Sequence, residues 1–139
     1  MRSLGARLAH LLTKKMRFDE VHRTKGKVCS YVLRCEGDRI YCGHTKDLEL
    51  RLLQHMNAAP GGAKFCLEYP PQEILCVRIH ETEEEALAME CAQFNFWCGK
   101  MQDYDRVRGG RLNGTEPLKF AIRGWNPQWN VERESEGLQ

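Results

Sequence analysis

The chain contains no apolar run approaching about 18 residues, no CxxC pair, and no internal repeat or low-complexity tract. The first absence excludes an ordinary transmembrane helix, which needs about 20 predominantly apolar residues. The second argues against a structural zinc site, because zinc-binding cysteines normally occur as close pairs. With 139 residues, the chain is long enough for one domain with a modest core and too short for two.

Cysteines are present, but they do not indicate a disulfide framework. Their number, seven, is odd, and most of them lie within apolar runs. A reduced cysteine in such a run behaves as a small hydrophobic residue. We therefore expect free thiols and a reducing compartment.

The net charge of +2 conceals an uneven distribution of charge along the chain. Residues 1–64 hold 13 lysines and arginines against 6 acidic residues, whereas residues 65–105 hold 2 against 9. A basic half beside an acidic stretch fits a surface that faces a polyanion next to one that holds a metal ion. Solvated faces of opposite charge would give the same pattern, so both interpretations stay open.

The N-terminal segment resembles a targeting sequence in its composition. It has no acidic residue before Asp19. Four leucines share one helical face, namely Leu4, Leu8, Leu11 and Leu12. The pattern is typical of a mitochondrial targeting segment and also of a basic amphipathic helix that docks on a partner. We expect residues 1–27 to form a basic N-terminal arm, and the protein to be located in the mitochondrion or another organelle.

The middle of the chain, residues 28–112, predicts a small α+β domain in which a short antiparallel three-stranded sheet is flanked by helices. The β-forming segments 28–35 and 39–42 are separated by Glu-Gly-Asp, which predicts a β-hairpin. A third strand is expected at residues 73–79.

Two main helices are expected around this sheet. Thr45 is the expected N-cap of the first, whose apolar positions recur on one face at Leu48, Leu52 and Met56. The second begins at a capping box formed by Thr82 and Glu85. Its expected buried stripe is Leu87, Cys91, Phe94 and Cys98. A basic segment that ends near residues 109–110 predicts a further short helix.

Five polar side chains of this domain form a chemically meaningful set. Arg51 and His55 share one face of the first helix at i, i+4 spacing. Tyr31 and Tyr41 lie on facing hairpin strands, so we expect their hydroxyls to converge. Glu90 falls about 70° from the centre of its helix's apolar stripe, at the edge of the buried face. Two phenols, a guanidinium, an imidazole and one carboxylate suit metal-assisted phosphodiester cleavage.

Each of these residues has an ordinary structural explanation when it is taken alone. A strand tyrosine usually packs its ring, and a helical arginine or glutamate is usually solvated. A histidine near a helix end commonly interacts with the helix dipole. The combination is much less expected by chance than any single member, and the set therefore favours a functional site.

Short motifs around these residues resemble those of the GIY-YIG nuclease domain, especially its compact single-domain members. Cys-Ser-Tyr at 29–31 stands where the family has Gly-Ile-Tyr, and Tyr-Cys-Gly at 41–43 stands where it has Tyr-Ile-Gly. Residues 43–55 are similar to the family string Gly-x-Thr-x-(Asp/Asn)-Leu-x-x-Arg-x-x-x-His. Gly-Ala-Lys at 62–64 resembles the same tripeptide in the small members, and residues 83–93 resemble the helix that carries the metal-binding glutamate.

The resemblance implies roles for the matched residues. Tyr31 and Tyr41 would handle the attacking water, with either one as the base. Arg51 would bind the scissile phosphate, and His55 would assist proton transfer or hold the phosphate. Glu90 would bind a single Mg²⁺ or Mn²⁺ ion.

The resemblance also implies contacts with nucleic acid. His44, Lys46 and Lys64 would contact the nucleic acid, DNA rather than RNA.

The sequence departs from the family motifs at two places. The first motif keeps only its tyrosine, since the residues at 29–30 replace Gly-Ile. Gln102 stands where many members have an asparagine.

The C-terminal segment, residues 113–139, is an irregular tail rich in aromatic and basic residues. Its aromatic and basic side chains include Phe120, Trp125, Trp129, Lys119 and Arg123. Aromatic rings interleaved with cations can stack on single-stranded nucleic acid. Tryptophan and arginine are also favoured where one protein anchors to another. Of the two interpretations, we expect the protein partner.

The leading functional prediction is a metal-dependent GIY-YIG-type endonuclease that hydrolyses phosphodiester bonds in DNA or RNA. The alternative is a catalytically idle structural subunit of a large organellar complex, such as a ribosome or a membrane assembly, bound to protein partners through its arm and tail. A nucleic-acid binder that no longer cuts is a third possibility, since a fold does not fix a function.

Overall fold

A mixed four-stranded sheet organises residues 15–109, the part of the chain that the computed structural model describes. The strands are β1 (Val28–Cys35), β2 (Arg39–Thr45), β3 (Pro71–His80) and β4 (Val107–Gly109). They lie side by side in the order β3-β1-β2-β4. The helices are α1 (Leu48–His55), α2 (Lys64–Glu68) and α3 (Glu83–Met101), with 3-10 helices at Phe18–Thr24 and Tyr104–Arg106.

Several expectations concern residues beyond this range. The first 14 residues of the predicted N-terminal arm and the whole predicted C-terminal tail lie outside the described residues. Their structure and their partners therefore stay predictions. Within residues 15–109, no helix combines the length and the apolar character that crossing a membrane requires.

The predicted β-hairpin is confirmed. Strands β1 and β2 pair antiparallel, with Tyr31 opposite Gly43 and Leu33 opposite Tyr41. Two consecutive left-handed residues reverse the chain, Gly37 at φ 74° and Asp38 at φ 54°. Such turns match the right-handed twist of the strands they join, which explains why the Glu-Gly-Asp sequence forms the hairpin.

The sheet has four strands, and the prediction of three was wrong. After α3, Gln102 adopts a left-handed conformation at φ 53° and turns the chain back. The basic segment expected to be a short helix is a single 3-10 turn followed by β4, which pairs parallel to β2 from Ile40 to Cys42. A three-residue strand is too short to show alternation in the sequence. Because β4 stops beside Cys42, it does not cover the end of β2 at residues 43–45.

The two faces of the sheet pack against different helices. Successive side chains of a strand point to opposite faces, so Tyr31 and Leu33 share one face and Val32 lies on the other. The first face packs against α1, α2 and the 3-10 helix at Phe18–Thr24, and the second packs against α3. Since both faces are covered, β1 is a nearly continuous apolar run.

Helix α1 begins two residues later than predicted. Its N-cap is Asp47, whose side chain accepts a hydrogen bond from the Leu50 amide at 3.1 Å. The Thr45 hydroxyl instead accepts from the Asp47 amide at 3.0 Å and forms the turn before the helix. The expected apolar stripe also ends earlier, because Met56 follows the last residue of the helix and is exposed.

The face that α3 buries differs from the expected one. Thr82 caps the helix as predicted, but Leu87 is 46% exposed and Cys91 is exposed as well. The buried positions are Ala86, Glu90 and Cys98. Apolar residues occur all around α3, so hydrophobic spacing alone does not define one buried face. Glu90 consequently lies in the middle of the buried face and not at its edge.

Candidate active site

Tyr31 and His55 form the buried centre of the site. Tyr31 projects from the middle of β1 and is 2% exposed, and His55, the last residue of α1, is fully buried. The Tyr31 hydroxyl oxygen lies 2.7 Å from Nε2 of His55. Strand and helix therefore meet through one hydrogen bond between residues 24 positions apart in the sequence.

Gly43 makes room for the Tyr31 side chain. The two residues face each other across the hairpin, and the tyrosine ring passes over the glycine. A Cβ atom at position 43 would lie 2.4 Å from both Cζ and Oη of Tyr31. A residue with a side chain at this position would therefore displace the phenol from His55.

Replacing Gly43 with alanine is expected to lower the free energy of unfolding by about 2 kcal/mol, because the new methyl group overpacks the Tyr31 ring. Urea denaturation measures this cost. The same substitution in a Tyr31→Leu background should cost less than about 1 kcal/mol, since the ring is gone. Equal costs in the two backgrounds would contradict the steric explanation.

Tyr41 is the second phenol and completes an aromatic group around the imidazole. Its ring meets the His55 ring edge-on at a centroid distance of 4.9 Å and lies 6.3 Å from the Tyr31 ring. Burial raises the pKa of both phenols, while the charge of the Arg51 guanidinium and its hydrogen bonds to them oppose the rise. Both tyrosines are therefore protonated at neutral pH.

Arg51 is held by residues close to it in the chain. Its Nη1 donates to Oε1 of Gln54 at 3.0 Å and to the carbonyl oxygen of Gly61 at 2.8 Å. The side chain is half-buried, so part of the guanidinium stays accessible to a ligand. The arginine thus presents a positive charge beside the two phenols.

His55 is a neutral imidazole in this environment. Burial, followed by the positive charge of Arg51, lowers its pKa to about 3. A ring that is neutral at physiological pH cannot attract a phosphate by its charge. Of the two roles that the resemblance implies for His55, proton transfer and phosphate binding, the neutral ring disfavours the second.

Glu90 and His44 approach the site from the other face of the sheet. Alternation along β2 places Tyr41 on the α1 face and His44 on the α3 face. Glu90, 4% exposed on α3, lies with Oε1 at 3.3 Å from Nδ1 of His44. The structure therefore places the carboxylate behind β2 and not in the tyrosine cluster itself.

The charges of Glu90 and Arg51 both influence Tyr41, although the two residues lie on opposite faces of the sheet. The negative charge of Glu90 contributes to the raised pKa of this phenol, and the positive charge of Arg51 opposes it. The phenol is thus within electrostatic range of both residues. Tyr41 lies within the part of β2 that pairs with β4, at the register position of Arg108.

The lysines expected to contact nucleic acid lie on the surface. Lys46, just after β2, is exposed and pairs with Glu83 at 3.3 Å. Lys64 is exposed at the start of α2. Both flank the buried cluster without belonging to it.

Sequence reasoning missed four residues of the site. Gln54 shares the face of α1 with Arg51 at i, i+3 spacing, a signal that could have identified it. The main-chain groups of Gly61 and Ala63 that contact Arg51 and His55 have no sequence signal. Cys66 packs in the same core, where a negative charge on its sulfur would raise the pKa of the tyrosines.

The donor set fits one kind of metal ion and not another. Residues 15–109 contain no group of three or more His, Cys, Asp or Glu side chains placed to hold a metal together. That excludes a closed all-protein site within this range. Glu90 is a single buried carboxylate, and one or two carboxylates suffice for Mg²⁺ or Mn²⁺, which keeps several waters and takes other ligands from a substrate phosphate.

Comparison with known proteins identifies the family of this chain. Residues 27–95 match the GIY-YIG catalytic domain. A UPF0213 protein of Bacillus pumilus is 34% identical over 73 residues, which cover 52% of this chain and 71% of the relative. The chain belongs to the GIY-YIG nuclease family, as the motifs predicted.

Other relatives are of the same kind. A UPF0213 protein of Staphylococcus saprophyticus is 32% identical over 60 residues, covering 43% of this chain and 71% of the relative. A UPF0213 protein of Streptococcus pyogenes is 36% identical over 67 residues, which cover 48% of this chain and 71% of the relative. No solved structure matches the chain significantly.

These relatives overturn the expected location. They are bacterial proteins, and bacteria have no mitochondria or other organelles. The prediction of a mitochondrial protein was therefore wrong. The alternative prediction, a subunit of an organellar ribosome or membrane complex, is not supported for the same reason.

Proposed function

We propose that the protein is a metal-dependent endonuclease that hydrolyses phosphodiester bonds in nucleic acid, DNA in preference to RNA. One observation carries the proposal. Two phenols pack around the buried His55 ring, to which Tyr31 is hydrogen-bonded, and the charges of Arg51 and of Glu90 on the opposite face of the sheet both shift the pKa of Tyr41.

Arg51 binds the scissile phosphate. Gln54 and Gly61 hold one of its terminal nitrogens, which fixes the direction of the guanidinium. A pre-oriented cation stabilises the negative charge that develops on phosphate oxygens without reorganising during the reaction. The family motif supports this role, because Arg51 occupies its arginine position.

Tyr41 orients the attacking water. Its phenol is protonated at neutral pH and lies within electrostatic range of both Arg51 and Glu90. Tyr31 supports it from the neighbouring strand through the shared contact with His55. Two adjacent phenols can hold a water molecule in line with a phosphate by hydrogen bonds.

Glu90 holds the divalent ion, Mg²⁺ or Mn²⁺, and His44 fixes the orientation of its carboxylate. When bound, the ion supplies positive charge where negative charge develops on the phosphate. The exposed side chains Lys46 and Lys64, together with His44, then contact the flanking nucleic acid, where lysines contribute affinity through phosphates.

The experiment is a cleavage assay with the purified full chain. Branched, single-stranded and duplex DNA, and the corresponding RNAs, are incubated with Mg²⁺ or Mn²⁺ and, in parallel, with a chelator. We expect cutting of DNA that requires the metal ion. Cutting that persists in chelator, or no cutting of any substrate, would contradict the proposal.

The near-complete burial of both tyrosines favours a second candidate, a nucleic-acid binder that does not cut. The same assay separates the two functions when binding is measured beside cleavage. Tight binding with no metal-dependent product would establish the binder in place of the nuclease.

A further inference from the structure

The loop between α1 and α2 contacts Arg51 and His55, the two residues of α1 for which the sequence predicts a role in the site. The Gly61 carbonyl accepts a hydrogen bond from Arg51, and the Ala63 amide donates to Nδ1 of His55 at 3.3 Å. The loop therefore touches a cation and an imidazole that lie one helical turn apart. No side-chain chemistry of the loop is involved in either contact.

The loop has little freedom to move away from α1. A Cβ atom at Gly62 would lie 2.1 Å from the carbonyl oxygen of Gln54, so the main chain passes directly against the helix. Gly61 adopts φ 106°, a conformation that favours glycine. Close approach and a glycine-specific bend together hold the carbonyl of residue 61 and the amide of residue 63 in place.

The Ala63 amide determines which imidazole nitrogen carries the proton. A main-chain N–H can only donate, so Nδ1 of His55 must be the acceptor. In a neutral imidazole the other nitrogen then carries the hydrogen. Nε2 of His55 is consequently the donor in its 2.7 Å contact with the Tyr31 hydroxyl.

This arrangement limits what Tyr31 can do. Its oxygen accepts a hydrogen bond from His55, and the Arg51 guanidinium lies close enough to oppose the rise in its pKa. The phenol proton therefore cannot be passed to His55, because Nε2 already bears one. The O–H group of Tyr31 therefore points away from the imidazole, and it can donate a hydrogen bond only towards Tyr41 or a bound substrate.

We propose that the α1–α2 loop fixes His55 as a permanent hydrogen-bond donor to Tyr31, so that His55 is a positioning residue and takes no part in proton transfer. The proposal deepens the nuclease function and rests on it for its kinetic consequences. It replaces the two roles that the resemblance implied for His55, proton transfer and phosphate binding, with a positioning role, and it leaves the water-handling role to Tyr41.

The charged and titratable neighbours of His55 agree with a fixed neutral ring. Tyr31 faces it from β1, Tyr41 from β2, and Arg51 from its own helix. Protonation of Nδ1 would also turn the Ala63 contact into two opposed N–H groups. Burial, the positive charge of Arg51 and the Ala63 amide therefore all favour the neutral form of the His55 ring.

The first test does not depend on activity. Long-range ¹⁵N–¹H NMR of the labelled full chain reports the protonation of each His55 nitrogen. We expect a proton on Nε2, an unprotonated Nδ1, and no titration of this ring between about pH 5 and pH 8. The Nδ1–H tautomer, or a titration within that range, would overturn the proposal.

The second test compares His55→Gln with His55→Ala in the DNA cleavage assay. A glutamine amide offers a donor at a similar distance from Cβ and cannot act as an acid or a base at neutral pH. We expect kcat of His55→Gln to stay within about fivefold of wild type, since the donor to Tyr31 is retained. We expect His55→Ala to lose about 10- to 100-fold in kcat, with little change in KM.

The outcomes separate this inference from the proposed function. If His55→Gln loses as much kcat as His55→Ala while both remain folded by circular dichroism, His55 takes part in proton transfer and the inference fails. If the wild type cuts nothing, the nuclease proposal fails, and the tautomer measured by NMR still decides whether the loop fixes His55.

Discussion

Replacing Glu90 with glutamine should lower kcat for DNA cleavage by about 10³-fold or more, which corresponds to about 4 kcal/mol of lost transition-state stabilisation. The substitution preserves the size of the side chain and removes its negative charge. Glu90 is the buried carboxylate whose charge reaches Tyr41, and no cluster of three metal-ligating side chains within residues 15–109 can replace it.

The fold should survive this change. Glutamine fills the same volume and keeps a carbonyl oxygen that can accept a hydrogen bond from His44, so the substitution leaves neither a cavity nor an unpaired buried charge. We therefore expect the Tm of Glu90→Gln to stay within a few degrees of wild type. Glu84→Gln is the matched control, because Glu84 is exposed on the same helix. Equal rates for wild type and Glu90→Gln in saturating Mg²⁺ would contradict the role of Glu90.

Arg51→Ala should reduce kcat/KM by about 10²- to 10³-fold, because it removes the oriented charge that faces the scissile phosphate. Arg51→Lys should recover only part of the loss. A lysine keeps the positive charge but lacks the planar fork that contacts Gln54, Gly61 and the phenols at the same time.

Comparing the cleavage rates of Arg51→Ala and Arg51→Lys separates the effect of the positive charge from the effect of the guanidinium geometry. If charge alone mattered, Arg51→Lys would cut DNA at the wild-type rate, which would contradict a role for guanidinium geometry. Arg23→Ala is the matched control, since Arg23 is an exposed arginine whose partner is Glu20. We expect its cleavage rate to equal that of the wild type.

Local sequence signals predicted the parts of the fold that local chemistry determines. The hairpin follows from β-forming segments on either side of a turn, and Thr82 caps α3 by a contact within four residues. Strand β4 could not be predicted in this way. Its three residues are a strand only because they pair with Ile40–Cys42, far away in the sequence.

The candidate site shows the same division. The i, i+4 spacing of Arg51 and His55 and the placement of the two tyrosines on neighbouring strands of one hairpin were visible in the sequence. Their partners Gly61 and Ala63 were not, because both act through main-chain groups that every residue type possesses.

The position of Glu90 was also only partly predictable. Its helix has apolar residues on all sides, and the face that is buried is the one that packs against side chains of β1, β2 and β4. The resemblance to a known family identified the residue. The structure added that it lies behind β2, against His44, and in the middle of the buried face.

The organellar location predicted from the N-terminal pattern was wrong for a different physical reason. An amphipathic pattern of leucines and basic residues describes a surface that many receptors, membranes and partners can recognise. It does not carry the identity of the receptor. The bacterial origin of the relatives therefore decided a question that the pattern could not.

The central claim is that Glu90 and Arg51, from opposite faces of one sheet, act on the same phosphate. A crystal structure of the full chain with Mn²⁺ and a non-cleavable DNA analogue tests it directly, since the anomalous signal locates the ion. The account predicts one manganese peak, coordinated by Glu90 and by an oxygen of the phosphate that Arg51 contacts. A manganese ion bound elsewhere, or a phosphate that contacts only one of these residues, would contradict it.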